Sequence, residues 1–348
     1  MNKIFLWLLV FIPVATLADI FHMGAVTTFF LSAVAIIPLA KFIGDATESL
    51  AARTTAAWGG FLNVTFGNAT EMIVGIFALR AGLLEVVKAS ITGSIIGNLL
   101  LVLGTAIFAG GYRHKKQVFN RTAALASGST LFLAMIALII PTLFPATAPF
   151  ASAAAVEQLS LVVAICMIIM YAASLIFSLG THGHLYAAEG SEGDERWSAG
   201  RSVAILALAT LGVVGMSNIL VNAIGPLTQS LGWTQLFVGV IIIAIVGNAA
   251  EHSSAITMAI KNKLDITIQI ATGSATQMAI FVAPVLVLIS MFFAQPMNLV
   301  FNMFELVSMI LAVVIVNLVV QDGETNWLEG IQLLIAYGIM AVAFFLHP

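Results

Sequence analysis

Two short stretches of this 348-residue chain could hold a cation: Gly67-Asn68-Ala69-Thr70-Glu71 and, 180 positions on, Gly247-Asn248-Ala249-Ala250-Glu251. Each glutamate lies within a long apolar run, where a carboxyl is costly unless it is protonated, paired or bound to a cation. Asn68 and Asn248 stand three residues earlier, a spacing that puts amide and carboxylate on one face of a helix. Gly67 and Gly247 can loosen that helix and release backbone carbonyls. Thr92-Gly93-Ser94 and Thr272-Gly273-Ser274 add the hydroxyls of Ser94 and Ser274 and a second flexible point. Asn98 and Gln277, on the same segments, either complete a cage or bond helices together. All these groups offer oxygen. Ca²⁺ takes about six to eight oxygen ligands, whereas Zn²⁺ recruits His or Cys, so calcium fits the set better than zinc. Two carboxylates can neutralise one divalent ion or take up two protons. Because desolvation raises a glutamate pKa and a bound cation lowers it, protons and metal would compete for one site. His252 adjoins Glu251, but neighbours on a helix point about 100° apart, which leaves it a relay or a packing residue.

The elements that position these groups follow from composition. Hydrophobic residues make up 61% of the chain and charged ones 8%, against about 25% charged in soluble proteins, and the mean hydropathy is +1.09. A soluble globular fold is excluded. A net charge of −3 offers no basic surface for nucleic acid. The single cysteine, Cys166, permits no intrachain disulfide and reads as a small packing residue. Cutting the chain where charge or Pro/Gly clusters interrupt apolar runs of about 20 residues leaves eleven segments, near 4–18, 24–43, 57–79, 88–109, 122–143, 157–179, 203–223, 235–260, 265–292, 303–320 and 327–346. No alternating ten-residue strands appear, so a β-barrel is excluded. The expected fold is an all-α polytopic membrane protein with eleven transmembrane helices.

An internal repeat organises them. With an ungapped offset of 180, residues 67–94 share 9 of 28 identities with 247–274, the polar residues included. The offset carries segments 2–6 onto 7–11 and leaves the first outside. Five spans is an odd number, so the second copy enters from the opposite face, the inverted-repeat plan of secondary transporters, whose sites form where equivalent discontinuous helices meet. The expected organisation is an accessory first helix (1–20), a first five-helix repeat (21–180), an acidic cytoplasmic linker (181–201) and a second, inverted repeat (202–348). Counting spans puts Lys3, Lys41, Arg53, Arg113, Lys115, Lys116, Arg121, Arg196, Arg201, Lys261 and Lys263 on one face and Arg80 and Lys88 on the other. That asymmetry places the N-terminus in the cytoplasm and the C-terminus outside. The first segment also carries features of a cleavable signal peptide, and cleavage would leave the orientation of the rest unchanged. Asp45, Glu48 and Glu305 read as solvated helix ends rather than as acids that attract cations at an entrance.

The motif pair, together with Gly67 to Gly111 and Gly247 to Ser290, resembles the signature repeats of the cation/proton exchanger family of the calcium/cation antiporter superfamily. Gly93-Ser94, the run from Gly97 to Gly104 and Gly110-Gly111-Tyr112 carry part of the match. The resemblance implies calcium/proton antiport, no enzyme activity, no cofactor beyond Ca²⁺ as transported substrate, and Glu71 and Glu251 as the essential cation-binding acids. Related sodium/calcium exchangers carry a proline before the motif acid. Thr70 and Ala250 stand there instead, which favours the proton-coupled branch over sodium-coupled exchange. A cation channel is the further alternative. The setting expected is a prokaryotic-type plasma membrane, and self-association stays open.

Overall fold

In an apolar solvent backbone amides have only each other to bond with, so a chain of this composition folds into helices. The computed structural model describes residues 3–54, 56–181 and 197–347. In chain order the helices are α1 Ile4–Ile20, α2 Ala25–Ala51, α3 Ala56–Gly67, α4 Ala69–Arg80, α5 Leu84–Arg113, α6 Arg121–Thr147 and α7 Ala153–Leu175. Then follow α8 Ala199–Leu231, α9 Gln235–Gly247, α10 Ala249–Ile260, α11 Leu264–Ser290, α12 Met303–Val319 and α13 Trp327–Leu346. Among the described residues seven of these are long and apolar enough to cross a membrane singly, and eight if the bent pair α9 and α10 is one span. The linker motif residues 182–196 lie outside the described residues.

Helix ends differ from the hydropathy cuts for a physical reason. The cut near residue 43 was set by charge, yet α2 runs on to Ala51 because Lys41 Nζ donates to Asp45 Oδ1 at 2.6 Å, one turn along the same helix. Asp45 is therefore buried and ion-paired rather than solvated, while Glu48 is exposed as expected. Lys88 likewise is buried, one turn inside α5.

Two compact units form, and each draws on both sequence halves. One holds the described parts of Met1–Ser90 and Glu189–Ala250 with His347, and the other those of Ile91–Ala188 and Glu251–Leu346. In the first unit α2 packs along α8; Phe29 and Ile36 on the one and Val213, Ile224 and Leu227 on the other are wholly buried, and Gly212 admits the Leu39 side chain. The second unit is centred on α5, whose spanning stretch is 83% buried against 17% for α7 and 22% for α13. These two peripheral helices therefore bury few of their residues inside the protein. Cys166 is exposed on α7, so the packing role expected for it is not what the fold assigns.

Where α5 meets α13 the backbones touch. A Cβ on Gly330 would stand 2.8 Å from the Gly104 carbonyl oxygen and from Phe108 Cα, distances real side chains do not adopt. Small residues at such crossings let helices pack without a hydrophobic drive. Gly330→Val is accordingly expected to destabilise the protein by about 1–3 kcal/mol through overpacking, read as a drop of several degrees in thermal unfolding in detergent. An unchanged transition would contradict the close approach.

Also in the second unit, three loops are tied together. Strands β1 (Gln117–Val118) and β2 (Glu324–Thr325) pair antiparallel, and Lys116 forms an ion pair with Glu324. Gln117 Nε2 donates to the Ala259 carbonyl at 2.9 Å and to Asn262 Oδ1 at 3.0 Å. The loops after α5, α10 and α12 are the ones that span counting assigned to one face.

Candidate cation site

The offset of 180 recurs in the backbone. The first motif helix breaks at Asn68, between α3 and α4, and the second at Asn248, between α9 and α10, where the axes bend by 58°. Both half-helices then run twelve residues, Ala69–Arg80 and Ala249–Ile260. Both close in the same C-terminal motif: Leu83 N–H donates to the Ala78 carbonyl and Gly82 N–H to that of Leu79, as Lys263 does to Met258 and Asn262 to Ala259. Gly82 and Asn262, 180 apart, take the left-handed conformation this motif needs, with φ +73 and +60. The next helices carry π-helical turns at matching places, Gly97–Val102 and Met278–Val282. Such turns re-aim side chains and recur at functional sites.

The helix break changes the geometry expected for Asn and Glu. They do not share one face of a continuous helix: Asn68 is the N-cap of α4, with φ −104 and ψ 25, and Glu71 lies in the first turn beyond it. Glu251 holds the same place on α10. Each carboxylate thus sits in the first turn of a half-helix, at the positive end of its dipole. At the second break Asn248 Nδ2 donates to the Ala244 carbonyl at 2.8 Å, which fixes the orientation of its amide.

Within the first unit the two motifs meet. Glu71 is buried, and a Cβ on Gly247 would lie 3.0 Å from Glu71 Cγ and 3.3 Å from Oε1, so the glutamate of the first motif rests on the bare backbone of the second. Asn68 and Asn248 are buried and Gly67 is exposed. Within the second unit, Asn98 Nδ2 donates to Ser274 Oγ at 3.0 Å, which joins α5 to α11, and Ser94 lies one turn before Asn98 on the same buried face. Gln277, just ahead of the second π turn, is half-buried, as are Glu251 and His252 on α10. Among the described residues no three His, Cys, Asp or Glu side chains gather as a metal cluster. The donors on offer are separate carboxylates, amides, hydroxyls and backbone carbonyls.

One residue escaped the sequence reading. Glu305 is 1% exposed, not a solvated helix end, and binds Thr92 of the Thr-Gly-Ser motif. The spacing Asn302 to Glu305 could have marked it as a helix cap.

Several apolar helices able to cross a bilayer, with carboxyl and amide groups set at paired helix breaks, define a membrane protein on the interrupted-helix plan of ion transporters. The sequence pattern of the family described as "Sodium/calcium exchanger protein" matches residues 24–180 and 201–346. A Ca(2+)/H(+) antiporter of Synechocystis sp. is 46% identical over 365 aligned positions, covering 100% of this chain and 98% of the relative. The Ca(2+)/H(+) antiporter ChaA of Bacillus subtilis is 45% identical, covering 99% of this chain and 100% of the relative. The solved structure of native YfkE superposes with a TM-score of 0.87 at 42% identity, over 98% of this chain and 99% of that one. The chain belongs to the sodium/calcium exchanger protein family, a family of transporters and not of enzymes.

Proposed function

We propose that the chain is a secondary active antiporter that exchanges Ca²⁺ for H⁺ by alternating access, with Glu71 and Glu251 binding Ca²⁺ or protons in competition. The observation that carries this reading is the buried Glu71 carboxyl seated on Gly247, each from one copy of a repeated helix break. The relatives named Ca(2+)/H(+) antiporter support the choice of ions. Ser94, Ser274, Asn98, Gln277, Asn68, Asn248 and the carbonyls near Gly67 and Gly247 supply the remaining oxygens, and His252 relays protons beside Glu251. The two five-helix repeats are inverted, with eleven spans in all, the N-terminus in the cytoplasm and the C-terminus outside a plasma membrane. The meeting of the loops after α5, α10 and α12 supports that parity.

Calcium flux into proteoliposomes with an imposed pH gradient tests the reading. Acid-loaded vesicles should take up Ca²⁺ while their interior pH rises. Flux that follows a Na⁺ gradient instead identifies sodium-coupled exchange, and downhill flux that moves no proton identifies a channel. Because protons occupy the same carboxylates as the metal, acidifying the exposed side must weaken apparent Ca²⁺ affinity, by about tenfold per pH unit for each carboxylate once the pH is below its pKa. An affinity that stays unchanged as the pH falls from 8 through the titration range of the carboxylates would refute shared carboxylates.

A further inference from the structure

Thr92 and Thr272 hold equivalent places in the repeat, but their hydroxyls do different things. Thr272 Oγ1 donates to the Ile268 carbonyl of its own helix at 2.7 Å, a bond that ties it to nothing else. Thr92 Oγ1 donates to Glu305 Oε1 at 3.1 Å, across 213 residues of sequence. Both partners are wholly buried, at 0% and 1% exposure. The other carboxylate oxygen, Oε2, accepts the Asn302 N–H at 2.9 Å and closes the capping box of α12. Glu305 thus places one oxygen on the motif through Thr92 and the other on the cap of its own helix. The repeat places Leu125 opposite Glu305, so the device exists in one half alone.

The motif turn it holds needs holding. Gly93 follows Thr92 inside a helix, where glycine is about 1 kcal/mol less favourable than alanine and gives the backbone latitude. Ser94 comes next, and Asn98, one turn on, donates to Ser274 from the π-helical turn Gly97–Val102. A latitude of a few tenths of an ångström at Gly93 would reach Ser94 Oγ directly, and Ca²⁺ accepts oxygens only between about 2.3 and 2.6 Å.

The geometry points to Glu305 as a positioning residue for cation binding: through its hydrogen bond to Thr92 it sets the turn that presents Ser94. The inference rests on the exchanger reading for the identity of the cation, and its residues are separate from Glu71 and Glu251. It requires only that Oε1 accept a hydrogen bond.

The test compares Thr92→Val, which keeps the shape of the side chain and deletes the donor, with Thr92→Ser, which keeps the donor. Ca²⁺ binding to purified protein and Ca²⁺ flux in proteoliposomes are both measured. Thr92→Val should raise the KM and the Kd for Ca²⁺ about tenfold while the rate at saturating Ca²⁺ stays within about twofold, the loss expected when one buried hydrogen bond is removed. Thr92→Ser should return both constants to within about twofold of wild type. Glu305→Gln in the Thr92→Val background should leave the Kd where Thr92→Val put it, because the residues act as a unit. Three results would overturn the inference: a Thr92→Val protein with wild-type KM, a Thr92→Ser protein as impaired as Thr92→Val, or an effect on rate and thermal stability with KM unmoved, which is what helix capping alone predicts. Failure of the exchanger reading shows elsewhere, as wild-type Ca²⁺ flux that carries no protons, and the Kd comparison still decides the role of Glu305.

Discussion

Glu71→Gln and Glu251→Gln, each made alone, are expected to abolish pH-driven calcium exchange in proteoliposomes while the protein stays folded. Glutamine keeps the size and one oxygen but removes both the negative charge that holds the metal and the proton acceptor needed for the return step. Two unit charges 4 Å apart interact by about 4 kcal/mol at an effective dielectric of 20, and the divalent ion doubles this. If only half survives desolvation, losing one carboxylate costs about 4 kcal/mol, on the order of a thousandfold in affinity. Folding should not suffer, because a neutral amide is easier to bury than a charge. The double variant should be no worse than either single one, as with residues that work as one site. Glu48→Gln, at an exposed position on α2, serves as the control that keeps transport. Near-normal flux in either single variant would mean that the cation is held elsewhere.

What was legible in the sequence was whatever recurs. Gly-Asn-Ala and the glutamate repeat at an offset of 180, and so do the helix break, the length of the half-helix and the turn that ends it. Gly82 and Asn262 are different residues at equivalent positions, yet both types tolerate a left-handed backbone, so the turn survives the substitution. The break at Asn68 was half legible. Glycine announced a weak point, but not that Asn68 would become a cap and move Glu71 into a first turn. Charge misled in both directions. Lys41 and Asp45 marked the end of an apolar run, and their mutual ion pair is what lets α2 continue past it. Glu305 carried a local cap signal, but its partner Thr92 lies 213 residues away, and no local pattern encodes that contact. The π-helical turns had no signal either, since one extra residue in a turn leaves hydropathy unchanged.

Gly247 is the place where contact between the motifs depends on a missing atom, and Gly247→Val is expected to stop transport as completely as loss of a carboxylate. An added Cβ would lie 3.0 Å from Glu71 Cγ and 3.3 Å from Cδ and Oε1, so the side chain must retreat by a few tenths of an ångström for ordinary contact. Glutamate has the flexibility to retreat, which is why Gly247→Ala should fold and insert normally. Binding has less tolerance. The window for calcium–oxygen distances is about 0.3 Å wide, so a displacement of that size takes the carboxylate to its edge, and Gly247→Ala should weaken apparent Ca²⁺ affinity about tenfold. The two further methyls of valine press on the same carboxyl and remove it from the site. Gly225→Ala on α8, where a Cβ would meet nothing within 4 Å, controls for helix flexibility and should leave transport unchanged. Equal losses at Gly225 and Gly247 would mean that glycine serves flexibility rather than contact. A Gly247→Val protein with normal calcium flux would show that Glu71 does not work from the position it holds against the second motif.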